Sequence, residues 1–299
     1  MAGPVALRHF RQGPSHGEVV AAFRQSAYIR LGDDDVVCLC SAKLRAGPLN
    51  VHVQAPEALF AGLRPGTPAL AHAGSLEIDD LRFLAGDQVI EWQPAQVTGR
   101  SAWCEAGQGL SMLVRRPERY RHSEGFGPLI HQLCTDWRTL QVTGRGGLDI
   151  LASAVPRVRD LLAWLGRALG SATGSPPPVE GLVGLGPGLT PSGDDFLCGM
   201  LITLHASSRK HLAGRLAETV MRHAQNGTGL ISRAHLSCAC EGLGSDALHE
   251  AHSALLGCDE PALERALRSL DRTGHSSGWD GLAGVVGCLA VIESGRHPV

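Results

Sequence analysis

The sequence predicts an α+β protein, with an antiparallel β-rich domain over residues 1–117 and an α-helical domain over 118–299. Two observations carry this reading. Up to about residue 115 the apolar residues come in short runs broken by Gly and Pro, and beyond Pro117 they recur at a spacing of three and four. Strands of that length need turn residues between them, whereas a 3.6-residue repeat lays one apolar stripe along a helix.

Taken in order, residues 27–31 and 36–40 flank Gly32-Asp33-Asp34-Asp35, a composition suited to a hairpin turn. Further strands are expected at 49–53, 69–73, 76–84, 89–92 and 109–114, separated by punctuation such as Arg64-Pro65-Gly66-Thr67-Pro68. Such spacing suits a small sandwich or barrel-like sheet. The helical pattern then begins with Leu129, Leu133, Trp137 and Leu140, and continues through Leu151, Ala154, Val158, Leu161, Leu165 and Leu169. Three prolines within 171–181 force a loop. Helices follow at about 191–206, 209–224, 228–241, 244–256, 260–272 and 280–293. In the fifth of these, Asp259 can cap the start and Pro261 suits the first turn. Leu263, Leu267 and Leu270 then face inward, and Glu264 and Arg268 pair outside.

Composition narrows the function classes. With 27 basic and 29 acidic residues the formal charge is −2, which gives no electrostatic footprint for nucleic acid. The basic run Arg115, Arg116, Arg119, Arg121 reads as a solvated surface. Residues 1–15 hold no continuous apolar stretch of the secretory kind, and the apolar runs at 197–204 and 282–292 are too short to cross a bilayer. A cytoplasmic protein with no membrane or nucleic-acid partner is expected. Its nine cysteines contain no Cys-x-x-Cys pair and read as reduced thiols.

The strongest chemical signal is the segment 184–195, Gly-Leu-Gly-Pro-Gly-Leu-Thr-Pro-Ser-Gly-Asp-Asp. Glycines at 184, 186, 188 and 193 let a backbone bend tightly or approach a ligand closely. Thr190 or Ser192 can cap the following helix, with Pro191 in its first position, leaving amides free for a phosphate or carboxylate. Gly186, Gly188, Thr190, Ser192 and Gly193 are therefore candidate substrate-binding residues, and Asp194 and Asp195 candidate catalytic ones. The segment is not a P-loop, because Asp194 and Asp195 stand where Lys and Ser/Thr are required. Nor is it a dinucleotide fingerprint, since Leu189 replaces the third glycine. Paired acids would repel a bare phosphate, so a metal ion, a substrate N–H or the helix dipole must offset them. No cofactor is required by the sequence, and Mg²⁺ is the candidate ion; whether a metal binds stays open.

Two further segments carry polar groups. Gly274-His275-Ser276-Ser277-Gly278-Trp279-Asp280 lies between helices, with Gly274 suited to a C-terminal cap and Asp280 to the next N-cap. His275 is a candidate acid/base, and Ser276, Ser277 and Asp280 candidate binding residues. The helix beyond spaces Gly281, Gly284 and Gly287 into a smooth ridge that another helix can approach. In 226–235, Ser232 and His235 share a helical face, and Arg233 can hold a carboxylate. His72 and Ser75 form a weaker pair in the sheet region.

Residues 185–196 resemble the hallmark of AllH-type proteins, and 274–280 resemble that family's second hallmark, with Ser276 in place of an expected Thr. The resemblance implies a subunit of oxamate carbamoyltransferase that works with other, unrelated subunits. That enzyme converts oxalurate and phosphate to oxamate and carbamoyl phosphate. The residues are compatible with that chemistry: the Gly186–Gly193 backbone can supply a phosphate cradle, Asp194 or Asp195 can accept substrate N–H groups, and His275 or Arg233 can serve a carbonyl or carboxylate. Two alternatives stand beside it: a non-catalytic scaffold or small-anion-binding subunit, and a stand-alone Mg²⁺-dependent enzyme with a phosphate ligand.

Overall fold

A computed structural model describes residues 1–72, 74–85, 89–95, 106–120, 124–142, 148–170, 174–207 and 209–295. The chain divides into two compact units, Met1–Pro94 and Ala95–Val299. The α+β class holds: a sheet comes first and helices follow.

The first unit holds helix α1 (Pro4–Arg11), strands β1 (Ser15–Ala22), β2 (Ser26–Leu31), β3 (Asp35–Ser41) and β4 (Asn50–Val53), helix α2 (Glu57–Gly62), and strands β5 (Pro68–His72), β6 (Ser75–Ile78) and β7 (Leu81–Leu84). They form one seven-stranded sheet in the order β4-β3-β2-β1-β5-β6-β7. The expected hairpin is β2–β3, with Leu31 opposite Asp35 and Gly32 left-handed at φ +62°. Several features differ from expectation: the strand expected at 76–84 is the pair β6 and β7, 89–92 carries only an isolated bridge at Glu91, and helices α1 and α2 were not expected. β4 runs parallel to β3, so the sheet is antiparallel with one exception. The central strand β1 was not expected, because His16, Gly17 and Glu18 interrupt its apolar pattern. Gly17 is needed there: a Cβ would sit 1.7 Å from the Arg30 carbonyl oxygen across the β1–β2 pair. Alternate residues Ala27, Ile29 and Leu31 of β2 enter a core shared with Ala6, Phe10 and Phe60.

The second unit holds α3 (Ala106–Val114), α4 (Ile130–Asp136), α5 (Leu148–Gly170), α6 (Ser192–Ala206), α7 (Lys210–Gly227), α8 (Leu230–Cys240), α9 (Asp246–Leu256), α10 (Glu260–Leu270) and α11 (Ser277–Ser294). The strand expected at 109–114 is instead part of α3. Ala106, Gly109, Leu110 and Leu113 bury one helical face, and a Cβ at Gly109 would fall 2.0 Å from the Leu255 carbonyl oxygen. Helical character therefore begins before residue 117, within the second unit. The stripe from Leu129 to Leu140 is α4 flanked by single 3₁₀ turns at Gly127–Leu129 and Trp137–Thr139, not one continuous helix. α10 follows its expected plan: Asp259 accepts from the Ala262 amide, Leu263, Leu267 and Leu270 are buried, and Arg268 pairs with Glu264 at 2.9 Å. Arg115 and Arg116 meet Glu260, and Arg119 meets Glu264; Arg121 lies outside the described residues.

α11 is the axis of this unit. Every residue from Gly278 to Ile292 is buried, as befits a helix apolar all round. Its glycine ridge meets α6. A Cβ at Gly284 would lie 2.0 Å from the Phe196 carbonyl oxygen, and one at Gly199 2.0 Å from that of Gly281. Among the described residues no helix is long and apolar enough to cross a membrane.

Candidate functional site

The close α6–α11 approach brings the two polar segments together. The glycine loop reaches α6 through left-handed Gly184, Gly186 and Gly188, at φ +75°, +122° and +94°. Pro187, Gly188 and Leu189 are exposed at its tip, while Pro191 through Asp194 are buried. Pro191 occupies the N-cap of α6 and not its first helical position, and neither Thr190 nor Ser192 closes a cap hydrogen bond. Several amides expected to be free are already engaged. Gly193 donates to the Leu185 carbonyl at 2.9 Å, and Asp194 and Asp195 donate to that of Pro191 at 2.9 and 3.1 Å. A Cβ at Gly193 would lie 2.0 Å from the Leu182 carbonyl oxygen, so that glycine serves the packing of the turn.

The hydroxyls turn elsewhere. Thr190 Oγ1 lies 2.8 Å from Ser277 Oγ at the start of α11. Ser192 is buried and stands beside Asp280, as does Ser276. The two hydroxyls favour the charged form of Asp280, yet burial outweighs them and pushes its carboxyl up to about 6. Asp280 does not cap α11; it sits in the first turn and its Oδ1 accepts from the Phe126 amide at 2.5 Å. Gly274, in turn, lies beyond the C-cap Asp271 of α10, in a left-handed turn. Trp279 is buried, with its indole N–H donating to Asp271 at 3.0 Å.

The two neighbouring aspartates differ. Asp194 is 1% exposed and is a cross-link: Oδ1 accepts from the Gly184 amide at 2.8 Å, and Oδ2 from Thr228 Oγ1 at 2.5 Å and Ser232 Oγ at 2.7 Å. Asp195 has its Oδ2 withdrawn from solvent with no hydrogen-bond partner, and the same holds for Asp280 Oδ2. Burial, then the neighbouring Asp280 charge, raise the Asp195 carboxyl well above its ordinary value, against the pull of the Ser277 and Thr190 hydroxyls. One turn on, burial, then the charges of Asp195 and Asp194, keep Cys198 a thiol.

His275 and Arg233 stand differently. His275 is exposed and faces the exposed Glu124 at 3.2 Å. Arg233 directs Nη1 to the Gln225 carbonyl at 3.5 Å. His235, on the Ser232 face of α8, is pushed down to about 4 by burial. In the first unit Ser75 Oγ lies 2.7 Å from His72 Nε2 and 3.3 Å from its Nδ1, and Glu77 lies 3.3 Å from Nε2. The Thr228 hydroxyl and the Phe126 amide were not foreseen. Thr228 lies four residues before Ser232, which is the only signal pointing to it; the backbone donor of Phe126 leaves none.

Among the described residues no group of three or more His, Cys, Asp or Glu is arranged to hold a metal ion. No curated protein and no solved structure matches the chain. Residues 182–289, the span that contains both polar segments, match the model of the family described as oxamate carbamoyltransferase subunit AllH.

Proposed function

We propose that this chain is a subunit of an oxamate carbamoyltransferase-like enzyme and that its reaction site lies where Thr190 meets Ser277. The family match supports the reaction class, and the carrying observation is that both polar segments converge there, joined by the 2.8 Å hydroxyl pair. In the reaction a phosphate oxygen forms a bond to the carbamoyl carbon of oxalurate while the bond from that carbon to the oxamate nitrogen breaks. The leaving nitrogen takes a proton to become the oxamate amide. Such a step needs donors for developing negative charge and an acceptor that orients the carbamoyl N–H. Amides of the exposed loop tip around Gly186 and Gly188, with the Thr190 and Ser277 hydroxyls, are the donors. Asp195 is the acceptor. Asp194, with three hydrogen bonds already closed, positions the loop. His275, which is exposed, and Arg233 of α8 are the residues assigned to meet substrate or a partner subunit outside the buried acid cluster.

The test is oxalurate phosphorolysis by this chain, alone and with co-expressed partner subunits. Thr190→Val and Ser277→Ala should each lower kcat/KM by about 10²-fold, the usual cost of losing one preorganised donor. No carbamoyl phosphate under any combination would retire the proposal.

A further inference from the structure

The acid cluster has a feature that carbamoyl transfer by hydrogen bonds alone leaves unexplained. Asp280 is fully buried, its Oδ1 is fixed by the Phe126 amide, and its Oδ2 is withdrawn from solvent with no hydrogen-bond partner. Asp195 likewise keeps a withdrawn, unpartnered Oδ2. The two side chains are near enough to repel one another, and among the described residues no Lys or Arg forms an ion pair with either. Four hydroxyls, of Thr190, Ser192, Ser276 and Ser277, border the pair. A buried carboxylate oxygen without a donor is costly, and a bound ion is one of the ways in which such an oxygen is completed.

We propose that Asp195 and Asp280 hold a divalent cation of the Mg²⁺ class through their Oδ2 oxygens, with the Thr190–Ser277 hydroxyl pair beside it. The donors are all hard oxygens, which select Mg²⁺ or Mn²⁺ over thiolate- and imidazole-seeking metals. Two carboxylates are few for Ca²⁺, which takes six to eight oxygens, but are the usual protein share for Mg²⁺, whose other positions go to water and to substrate oxygens. Hence no third carboxylate is needed, in keeping with the absence of a larger ligating group among the described residues. The ion would also let an anionic substrate approach acids that otherwise repel it. The inference shares its site with the proposed carbamoyl transfer but requires no turnover.

Mn²⁺ titration of the full chain, followed by electron paramagnetic resonance, tests it without substrate. A saturable site that Mg²⁺ displaces is expected. Asp195→Asn and Asp280→Asn should each weaken it by at least about tenfold, since even an outer-shell partner costs that much. Glu124→Gln, an exposed acid nearby, should leave it intact. Because Asp280 also anchors Phe126, folding of each variant is checked by circular dichroism. Should Asp280→Asn fail to fold, Asp195→Asn and a Mg²⁺-dependent rise in the wild-type Tm decide the matter. No saturable Mn²⁺ signal in the wild type, or affinity unchanged in Asp195→Asn, overturns the proposal, while oxalurate phosphorolysis by the assembled subunits would remain a separate question.

Discussion

At the scale of single residues, Asp194 and Asp195 are adjacent in sequence and opposite in circumstance. A helix turns about 100° per residue, so neighbours face different surroundings. Asp194 points into the chain and ties the glycine loop, Thr228 and α8 with three hydrogen bonds. Asp195 points to Asp280 and the paired hydroxyls. Removing Asp194 leaves a half-buried amide and two hydroxyls without their acceptor, and each unsatisfied group costs about 1–3 kcal/mol where it is buried. Asp194→Ala is therefore expected to lose about 3–5 kcal/mol in urea unfolding, and Thr228→Val, which removes one donor, about 1–2 kcal/mol. A loss below about 1 kcal/mol for Asp194→Ala would show that the cross-link does not hold the loop. From the sequence, both acids read alike, because first-turn carboxylates are favoured by the helix dipole whichever way they point. Their separation into anchor and site residue needed α8, which lies more than thirty positions away in the chain.

At the scale of elements, the decisive contact is α6 against α11, and glycine makes it. Carbonyl oxygens of one helix sit where a Cβ of the other would be, so the backbones touch directly. Gly284→Ala places its methyl 2.0 Å from the Phe196 oxygen and should cost about 3 kcal/mol or more while moving Thr190 away from Ser277. Gly214→Ala, in α7 with nothing within 4 Å of the new methyl, should raise stability by about 0.5–1 kcal/mol. Equal effects of the two substitutions in thermal melts would refute close packing as the role of Gly284. This ridge was legible in the sequence as Gly281, Gly284 and Gly287, as were most helices and the β2–β3 hairpin, because each rests on local spacing or turn chemistry. The α3 segment was not: its apolar residues fit a strand over six positions, and only packing of Gly109 on the Leu255 carbonyl reveals the helix. Nor was β1, whose place in the middle of the sheet depends on partners later in the chain.

At the scale of the whole molecule, stability against acid separates the buried histidines from the buried acids. On α9, His249 accepts the Gly244 N–H at Nε2, 3.0 Å away, a bond that protonation of that nitrogen abolishes. Burial lowers His249 to about 4, and burial with the His249 charge lowers His252 to about 3. In the unfolded chain both titrate near 6.5. Below that pH the unfolded state binds protons that the fold refuses, so the stability these histidines contribute is present above pH 6.5 and falls as pH drops toward 4 and 3. Asp280, at about 6, and the raised Asp195 act in the other direction, taking up protons in the fold before the unfolded chain does. A wild-type stability curve mixes the two. The comparison that isolates the histidines is with His249→Gln/His252→Gln, which keeps the acids. Wild type should lose stability relative to that variant by about 1.4 kcal/mol per pH unit for each histidine between pH 6 and 4.5, read from urea midpoints at fixed slope. Parallel curves across that range would mean that neither ring is held neutral by the fold.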